Sequence, residues 1–131
     1  MNPLTNQERG NMTDNNPLAD ISQFTGTEQW FRHGLNRKML YTEGVQYVAE
    51  KAGAYWLVDE IALAQAYVPQ VKAQPFQVWQ LTVKADHTAT LVCEDGNGRG
   101  VYSKEIEFTD FPPQGIRFFV TDNVIMLPSE Y

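Results

Sequence analysis

Residues 41–67, YTEGVQYVAEKAGAYWLVDEIALAQAY, carry the one long helical pattern of the chain. Thr42 is a suitable N-cap, because its hydroxyl can accept a hydrogen bond from an amide of the first turn. Apolar residues then recur at helical spacing, at Val45, Val48, Ala49 and Ala52. Gly53 suits the left-handed end of a helix. The pattern therefore predicts two consecutive helices, the second from about residue 54 to 67, with Pro69 ending it.

From Phe76 onward the apolar period changes from helical to two, which is typical of strands. Five runs show this pattern, at residues 76–84, 87–94, 101–108, 115–121 and 124–127. Core-facing positions are predicted at Trp79, Leu81, Val83, Ala89, Leu91, Cys93, Tyr102, Ile106, Phe108, Ile116, Phe118 and Val120. Because the links are short, consecutive strands favour an antiparallel meander, and its apolar face needs a cover. The predicted fold class is α+β, with an N-terminal helical pair packed on one face of a C-terminal five-stranded antiparallel meander.

The chain before the helices gives weaker signals. Residues 1–20 are rich in Asn, contain two prolines and have no periodicity, which predicts a disordered tail before a single domain at residues 21–131. In residues 28–34, EQWFRHG, the pair Trp30 and Phe31 fits a short strand or a first helical turn. Gly34 and Asn36 prevent anything long, so a short helix or irregular segment is favoured.

Composition excludes several classes of function. The chain has a formal net charge of −6, which argues against direct binding to duplex nucleic acid and permits a basic protein surface as partner, including that of a nucleic-acid-binding effector. One cysteine and two histidines allow neither an internal disulfide nor a zinc cluster, so no metal or cofactor is predicted. Without a signal peptide or an apolar run of about 20 residues, no membrane partner is predicted and a cytoplasmic protein is expected.

Acidic residues are most concentrated on the second and third predicted strands. Glu105 and Glu107 share the outer face of one strand, Glu94 lies on its neighbour, and Asp95 and Asp110 lie near strand ends. Such a surface is either an ordinary solvated sheet face or a docking surface for a Lys/Arg-rich partner. These five residues are the predicted partner-binding set.

A second candidate site is a pocket between the second helix and the sheet. Aromatic rings with a few polar groups are the usual lining of such pockets. The predicted lining consists of Trp30, His33, Tyr55, Trp56 and Asp59. The same polar groups can instead form structural hydrogen bonds at the seam between helix and sheet. No catalytic residue is predicted, since adjacent carboxylates such as Asp59 and Glu60 do not face each other on a helix and Cys93 lies on an inward face.

Several strings resemble a family of small bacterial proteins of unknown function that recurs on phage, plasmids and other mobile elements. They are FTGTEQWFRHG, LYTEGVQYVAEKAGAYWLVDEIA, FQVWQLTV, CEDGNG and FTDFPPQGIRFFVTDNVIMLPSEY. The resemblance covers about residues 21–131, and GAYWLVDEIA and LPSEY are its most distinctive parts. It implies a mobile-element setting and implies no catalytic residues.

Three functional hypotheses follow. The first is a non-enzymatic protein-binding accessory factor, specifically an inhibitor of a host defence complex of the anti-CRISPR or antirestriction type, acting through the acidic surface. The second is a small-molecule-binding or enzymatic domain that uses the pocket beside the second helix. The third, compatible with both, is a homodimer sealed by Phe119 or by an unpaired sheet edge.

Overall fold

The computed structural model describes residues 18–26 and 28–131, so most of the predicted tail lies outside the described residues. The described part contains three α-helices: α1, Glu43–Ala52; α2, Tyr55–Tyr67; and α3, Pro69–Lys72. It also contains seven strands: β1, Trp30–Arg32; β2, Leu40–Thr42; β3, Phe76–Val83; β4, Ala89–Asp95; β5, Gly100–Ile106; β6, Ile116–Thr121; and β7, Val124–Met126. None of the described helices is long and apolar enough to cross a membrane.

Local signals set the ends of α1 as the sequence predicts. The Thr42 hydroxyl accepts a hydrogen bond from the Val45 amide at 3.2 Å, and Gly53 ends the helix with φ of 61°. In α2 the buried residues are Leu57, Val58, Ile61, Ala62 and Ala64. Two consecutive helices are present, but the predicted N-terminal helical pair is wrong, because β1 and β2 precede α1 and a short third helix, α3, begins at Pro69.

The predicted five-stranded meander is wrong. The seven strands form one mixed sheet in the order β1-β2-β7-β6-β3-β4-β5. β3 lies in the interior and pairs with both β4 and β6, so the chain does not pass from β5 to a neighbouring β6. The link of residues 107–115 contains Pro112 and Pro113, which oppose a direct hairpin, and it carries the chain past β4 and β3. Gly115 ends this link with φ of 66°, where a Cβ would lie 2.1 Å from the Leu81 carbonyl oxygen.

The N-terminal segment contributes two strands that the sequence did not predict. Trp30–Arg32 is a strand, not a short helix or an irregular segment, and Phe31 pairs with Tyr41 across β1 and β2. β2 then pairs with β7 in parallel, with Tyr41 beside Ile125. The Leu40 amide donates to the Asn123 carbonyl at 2.9 Å, so the backbone groups of a three-residue strand are satisfied by a partner far away in sequence.

The core lies between one face of the sheet and the helices. Trp79, Leu81, Leu91, Cys93 and Phe118 are each at most 1% exposed, which confirms the predicted inward faces of β3, β4 and β6. The prediction that Phe108 faces the core is wrong. β5 ends at Ile106, and the Phe108 side chain is 64% exposed in the link that follows.

The C-terminus closes onto both the sheet and α1. A 3₁₀ turn at Pro128–Glu130 places the Glu130 carboxylate against the Thr42 hydroxyl at 2.7 Å and the Leu127 amide at 2.8 Å. The ring of Tyr131 contacts those of Phe76 and Phe119 on the outer face, at centroid distances of 5.3 and 5.6 Å. The distinctive string LPSEY thus has a structural role, and part of the outer surface of Phe119 is covered by its own chain.

Candidate functional site

The candidate site is a cleft of about 550 Å³ beside β5, the last strand of the sheet. It is called the acidic cleft below. Its principal side chains are Trp56, Glu60, Lys104, Glu105, Glu107, Phe108 and Asp110. They come from α2, from β5 and from the link that follows β5, so the cleft lies where the helix layer meets the open edge of the sheet.

Three exposed carboxylates surround the acidic cleft. Glu105 borders the cleft from the outer face of the sheet, where it stands opposite Thr90 on β4 and accepts a hydrogen bond from the Thr90 hydroxyl at 3.1 Å. Glu107 and Asp110 are exposed in the link just beyond the strand. The sequence predicted all three as partner-binding residues, and the structure brings them to one cleft.

An ion pair joins the helix layer to the sheet edge inside the cleft. Lys104 lies opposite Leu91, on the face of the sheet that the helices cover, and its Nζ is 2.7 Å from Glu60 Oε2. The hydrogen bond that Lys104 donates to Glu60 raises the pKa of Lys104 above its ordinary value. Lys104 therefore balances the charge of Glu60. The three other carboxylates, of Glu105, Glu107 and Asp110, then make the net charge of the cleft negative.

Two aromatic side chains complete the lining. Phe108 is largely exposed and Trp56 is partly buried against the core. Aromatic faces and carboxylates both attract cations, since the ring quadrupole is negative on its face. The cleft can therefore hold an ammonium or guanidinium group better than an anion.

Glu94 and Asp95, the other two predicted partner-binding residues, lie at the far end of β4. From Thr90, which pairs with Glu105, to Glu94 the rise of the strand is roughly 13 Å. The Asp95 carboxylate accepts from the amides of Asn97 at 2.8 Å and Arg99 at 2.9 Å, and these bonds lower its pKa. Asp95 thus organises the β4–β5 turn, apart from the acidic cleft.

The predicted pocket residues do not form one pocket. His33 and Asp59 do meet, with 2.7 Å between Nε2 and Oδ1, and the ring of Tyr41 lies beside His33. Trp56 lines the acidic cleft instead. Trp30 is 52% exposed on the edge strand β1.

His33 acts as a clamp for the loop between β1 and β2. It is 3% exposed, and its Nδ1 accepts from the amides of Leu35 at 3.2 Å and Asn36 at 3.0 Å. In that arrangement Nδ1 carries no proton and Nε2 donates to Asp59. The Asn36 side chain also donates to the Ala62 carbonyl of α2 at 2.8 Å, so two contacts hold this loop on the helix.

The remaining reactive groups are held in unreactive settings. Burial, with smaller effects from Glu94 and Asp95, raises the pKa of Cys93 to about 12. Burial and the hydrogen bond to Glu50 raise the pKa of Tyr55 to about 12. Within residues 18–26 and 28–131, no three His, Cys, Asp or Glu side chains are grouped so that they could hold a metal ion.

Four of the principal side chains of the acidic cleft were not predicted as part of it, and Glu60 and Lys104 were assigned to no site at all. Phe108 was assigned to the core because the alternation of β5 was extended past Ile106, and Trp56 was assigned to a pocket with His33. A usable signal was the sequence FTDFPP at residues 108–113, where two prolines follow closely and make continued pairing as a strand unfavourable.

Comparison with known proteins gives one match. The model of a family of unknown function, DUF6876, matches residues 15–131, which is most of the chain. No curated protein and no solved structure matches. The match supports an uncharacterised family, as the resemblance implies, and begins a few residues before it. The chain therefore belongs to the family of unknown function DUF6876.

Proposed function

We propose that the protein is a non-enzymatic binding module that receives a Lys/Arg-bearing segment of a partner protein in the acidic cleft. The observation that carries the proposal is the composition of that cleft. Glu105, Glu107 and Asp110 are among the residues that line it, together with Trp56 and Phe108. Carboxylates beside aromatic rings are suited to the cationic head and the apolar stem of lysine or arginine.

Charge supports this assignment of the partner. The ion pair between Lys104 and Glu60 is internal to the cleft, so Glu105, Glu107 and Asp110 leave a local excess of negative charge. The chain as a whole is also negative, at −6. The net negative charge attracts a basic protein surface, such as one that normally holds nucleic acid, over a distance. The carboxylates of the cleft can then pair with its Lys and Arg side chains.

The position of the cleft supports an extended segment as the bound form. β5 is an edge strand of the sheet. It pairs with β4 on one side, and no described strand pairs with its other side. An extended segment can lie along such an edge, with alternate side chains reaching the cleft.

The specific form of this function that the resemblance suggests is an accessory factor of a mobile element that inhibits a host defence complex. Effectors of CRISPR and restriction systems carry basic channels for nucleic acid, and an acidic module can occupy such a channel. The proposed role as an inhibitor is supported by the family resemblance and by the negative charge of the cleft.

The test of the cleft uses a labelled lysine- and leucine-containing peptide, with fluorescence anisotropy as the readout. Removing two charges through Glu105→Gln and Glu107→Gln is expected to weaken binding roughly tenfold, because each charge-assisted contact contributes appreciably. Added salt should also weaken peptide binding by the parent protein. A peptide with glutamate in place of lysine should not bind.

The matched control removes two exposed carboxylates elsewhere, through Asp20→Asn and Glu28→Gln. It gives the same change in net charge and is expected to bind nearly as the parent does. Equal weakening in both double variants would mean that total charge, and not the cleft, governs binding. Unchanged binding by the cleft variant would remove the proposed site.

The host-defence form is tested separately by expressing the protein in bacteria that restrict a phage through a CRISPR effector or a restriction enzyme. Plating of the phage should rise with the parent protein and with the Asp20/Glu28 control, and not with the Glu105/Glu107 variant. Peptide binding without any change in plating would retain the binding module and reject the inhibitor.

A further inference from the structure

A second cleft, of about 740 Å³, lies at the other end of α2 and has the opposite charge. It is called the basic cleft below. It is enclosed by the C-terminal end of α2, by α3, by the loop between β1 and β2 and by the β6–β7 turn. The side chains that matter for its chemistry are Arg37, Lys38, Gln65, Tyr67, Lys72 and Asp122.

The charge of the basic cleft opposes that of the chain. Arg37, Lys38 and Lys72 line it, and among the described residues of the lining Asp122 is the single acidic one. Over the described ranges, none of these three cations forms an ion pair with a carboxylate. A protein of net charge −6 thus places three cations around one concavity, and no described carboxylate pairs with them.

The backbone that carries two of these cations is held in place. Arg32 Nη1 donates to the Arg37 carbonyl, with 2.6 Å between the two atoms, and the Lys38 amide donates to Asn36 Oδ1 at 3.2 Å. The clamp formed by His33 and Asn36 fixes the same loop on α2. The loop is therefore organised before any ligand arrives, which lowers the entropy cost of binding.

The floor of the basic cleft is a network of side-chain amides. Gln77 is 2% exposed and exchanges two hydrogen bonds with Gln65, at 2.7 and 2.9 Å. Its Nε2 also donates to the Val71 carbonyl at 2.9 Å, and its Oε1 accepts from Trp79 Nε1 at 2.9 Å. These bonds make the floor rigid and polar.

An aromatic ring stands at the rim. Tyr67, the last residue of α2, is 78% exposed, although a ring of this size is usually at least partly covered. Its face is open for stacking against a planar group next to the three cations. The cleft thus combines positive charge, amide groups and one free aromatic surface.

We propose that the basic cleft binds a phosphorylated small molecule with a planar ring, of the size and chemistry of a nucleotide. Its volume falls within the range of small-ligand sites. Arginine and lysine are the usual partners of phosphate oxygens, and Tyr67 provides a stacking surface for the ring. Duplex nucleic acid would be repelled by the net negative charge, whereas one small anion needs only the local field of the cleft.

The experiment is calorimetric titration of the full chain with ATP, with adenosine and with inorganic phosphate. ATP should bind saturably, inorganic phosphate should compete with it, and adenosine should bind far more weakly. The variant Arg37→Gln with Lys72→Gln should weaken ATP binding by roughly tenfold for each cation removed. Tyr67→Ala should weaken ATP binding without changing the affinity for inorganic phosphate.

The control variant is Lys84→Gln with Arg99→Gln, two exposed cations outside the basic cleft that give the same change in net charge. It should bind ATP as the parent does. The proposal is overturned if ATP does not bind saturably to the parent, or if both double variants lose affinity equally. Peptide binding at the acidic cleft is measured on a different surface, so either site can fail alone.

Discussion

The carboxylate of Glu130 occupies the place where residue 44 would carry a side chain. Its Oε2 accepts from the Gly44 amide at 3.3 Å, and a Cβ built on Gly44 would lie 2.7 Å from Oε1. The same carboxylate accepts from the Thr42 hydroxyl at 2.7 Å. A residue next to the C-terminus thus caps the first turn of α1, where a negative charge is favourable.

This relationship predicts a change of sign in a pair of variants. Gly44→Ala should destabilise the protein by about 1 kcal/mol, because the new methyl group displaces the Glu130 carboxylate from its hydrogen bonds. In a Glu130→Ala background the same substitution should stabilise by up to about 1 kcal/mol, since alanine is then simply the better helix former. Urea unfolding of the four proteins measures both effects. Destabilisation of equal size in both backgrounds would show that Glu130 is not the obstacle.

The clamp at His33 predicts a difference between two amide replacements. His33→Asn keeps an acceptor near the position of Nδ1 for the Leu35 and Asn36 amides, whereas His33→Gln keeps a donor near Nε2 for Asp59. His33→Gln leaves two amides without their acceptor and should cost about 1–3 kcal/mol more than a variant that retains it. Hydrogen exchange at the Leu35 and Asn36 amides should quicken in His33→Gln and stay slow in His33→Asn. Similar exchange in both would contradict the assigned roles of the two ring nitrogens.

The lowered pKa of Asp95 predicts how the stability of the β4–β5 turn depends on pH. Amide hydrogen bonds from Arg99 and Asn97 favour the ionised carboxylate. Because the pKa in the folded state is below that of the unfolded chain, the contribution is complete above the unfolded value and is lost as the pH falls through the folded value. Asp95→Ala should therefore be less stable than the parent at neutral pH, and the difference should shrink in strong acid. A difference that stays constant across that range would refute the linkage.

Cys93 is expected to resist alkylation in the folded protein. Its side chain is buried and its pKa is about 12, so the reactive thiolate is scarce between pH 7 and pH 9. Iodoacetamide should label it slowly until urea unfolds the chain, and mass spectrometry reports the extent. Rapid labelling without denaturant would show that the strand opens locally.

Local features of this fold are predictable from the sequence, whereas the order of its strands is not. The start and end of α1 follow from Thr42 and Gly53, because caps act within one turn. The inward faces of β3 and β4 follow from alternation alone. β1 and β2 have three residues each, too few for a periodic signal, and their pairing with β7 depends on contacts with the far end of the chain.

The candidate site is likewise only partly predictable from the sequence. The carboxylates Glu105, Glu107 and Asp110 are visible in the sequence as an acidic group, but their cleft also needs the exposed position of Phe108, which depends on where β5 stops. Gln77 shows a further limit. Alternation places it on the buried face with Trp79, and only the folded chain shows that Gln65 and the Val71 carbonyl satisfy its amide.

The parallel pairing of β2 with β7 has a consequence for synthesis. Leu40 is synthesised well before its partner Val124, because α1, α2, α3 and β3 to β6 lie between them in the sequence. Until then the paired strands β1 and β2 have no third strand to join, and the N-cap of α1 lacks its Glu130 contact. The full sheet can therefore form only after β7 has been synthesised, and a chain cut just before β7 would lose the attachment of β1 and β2 together with β7 itself.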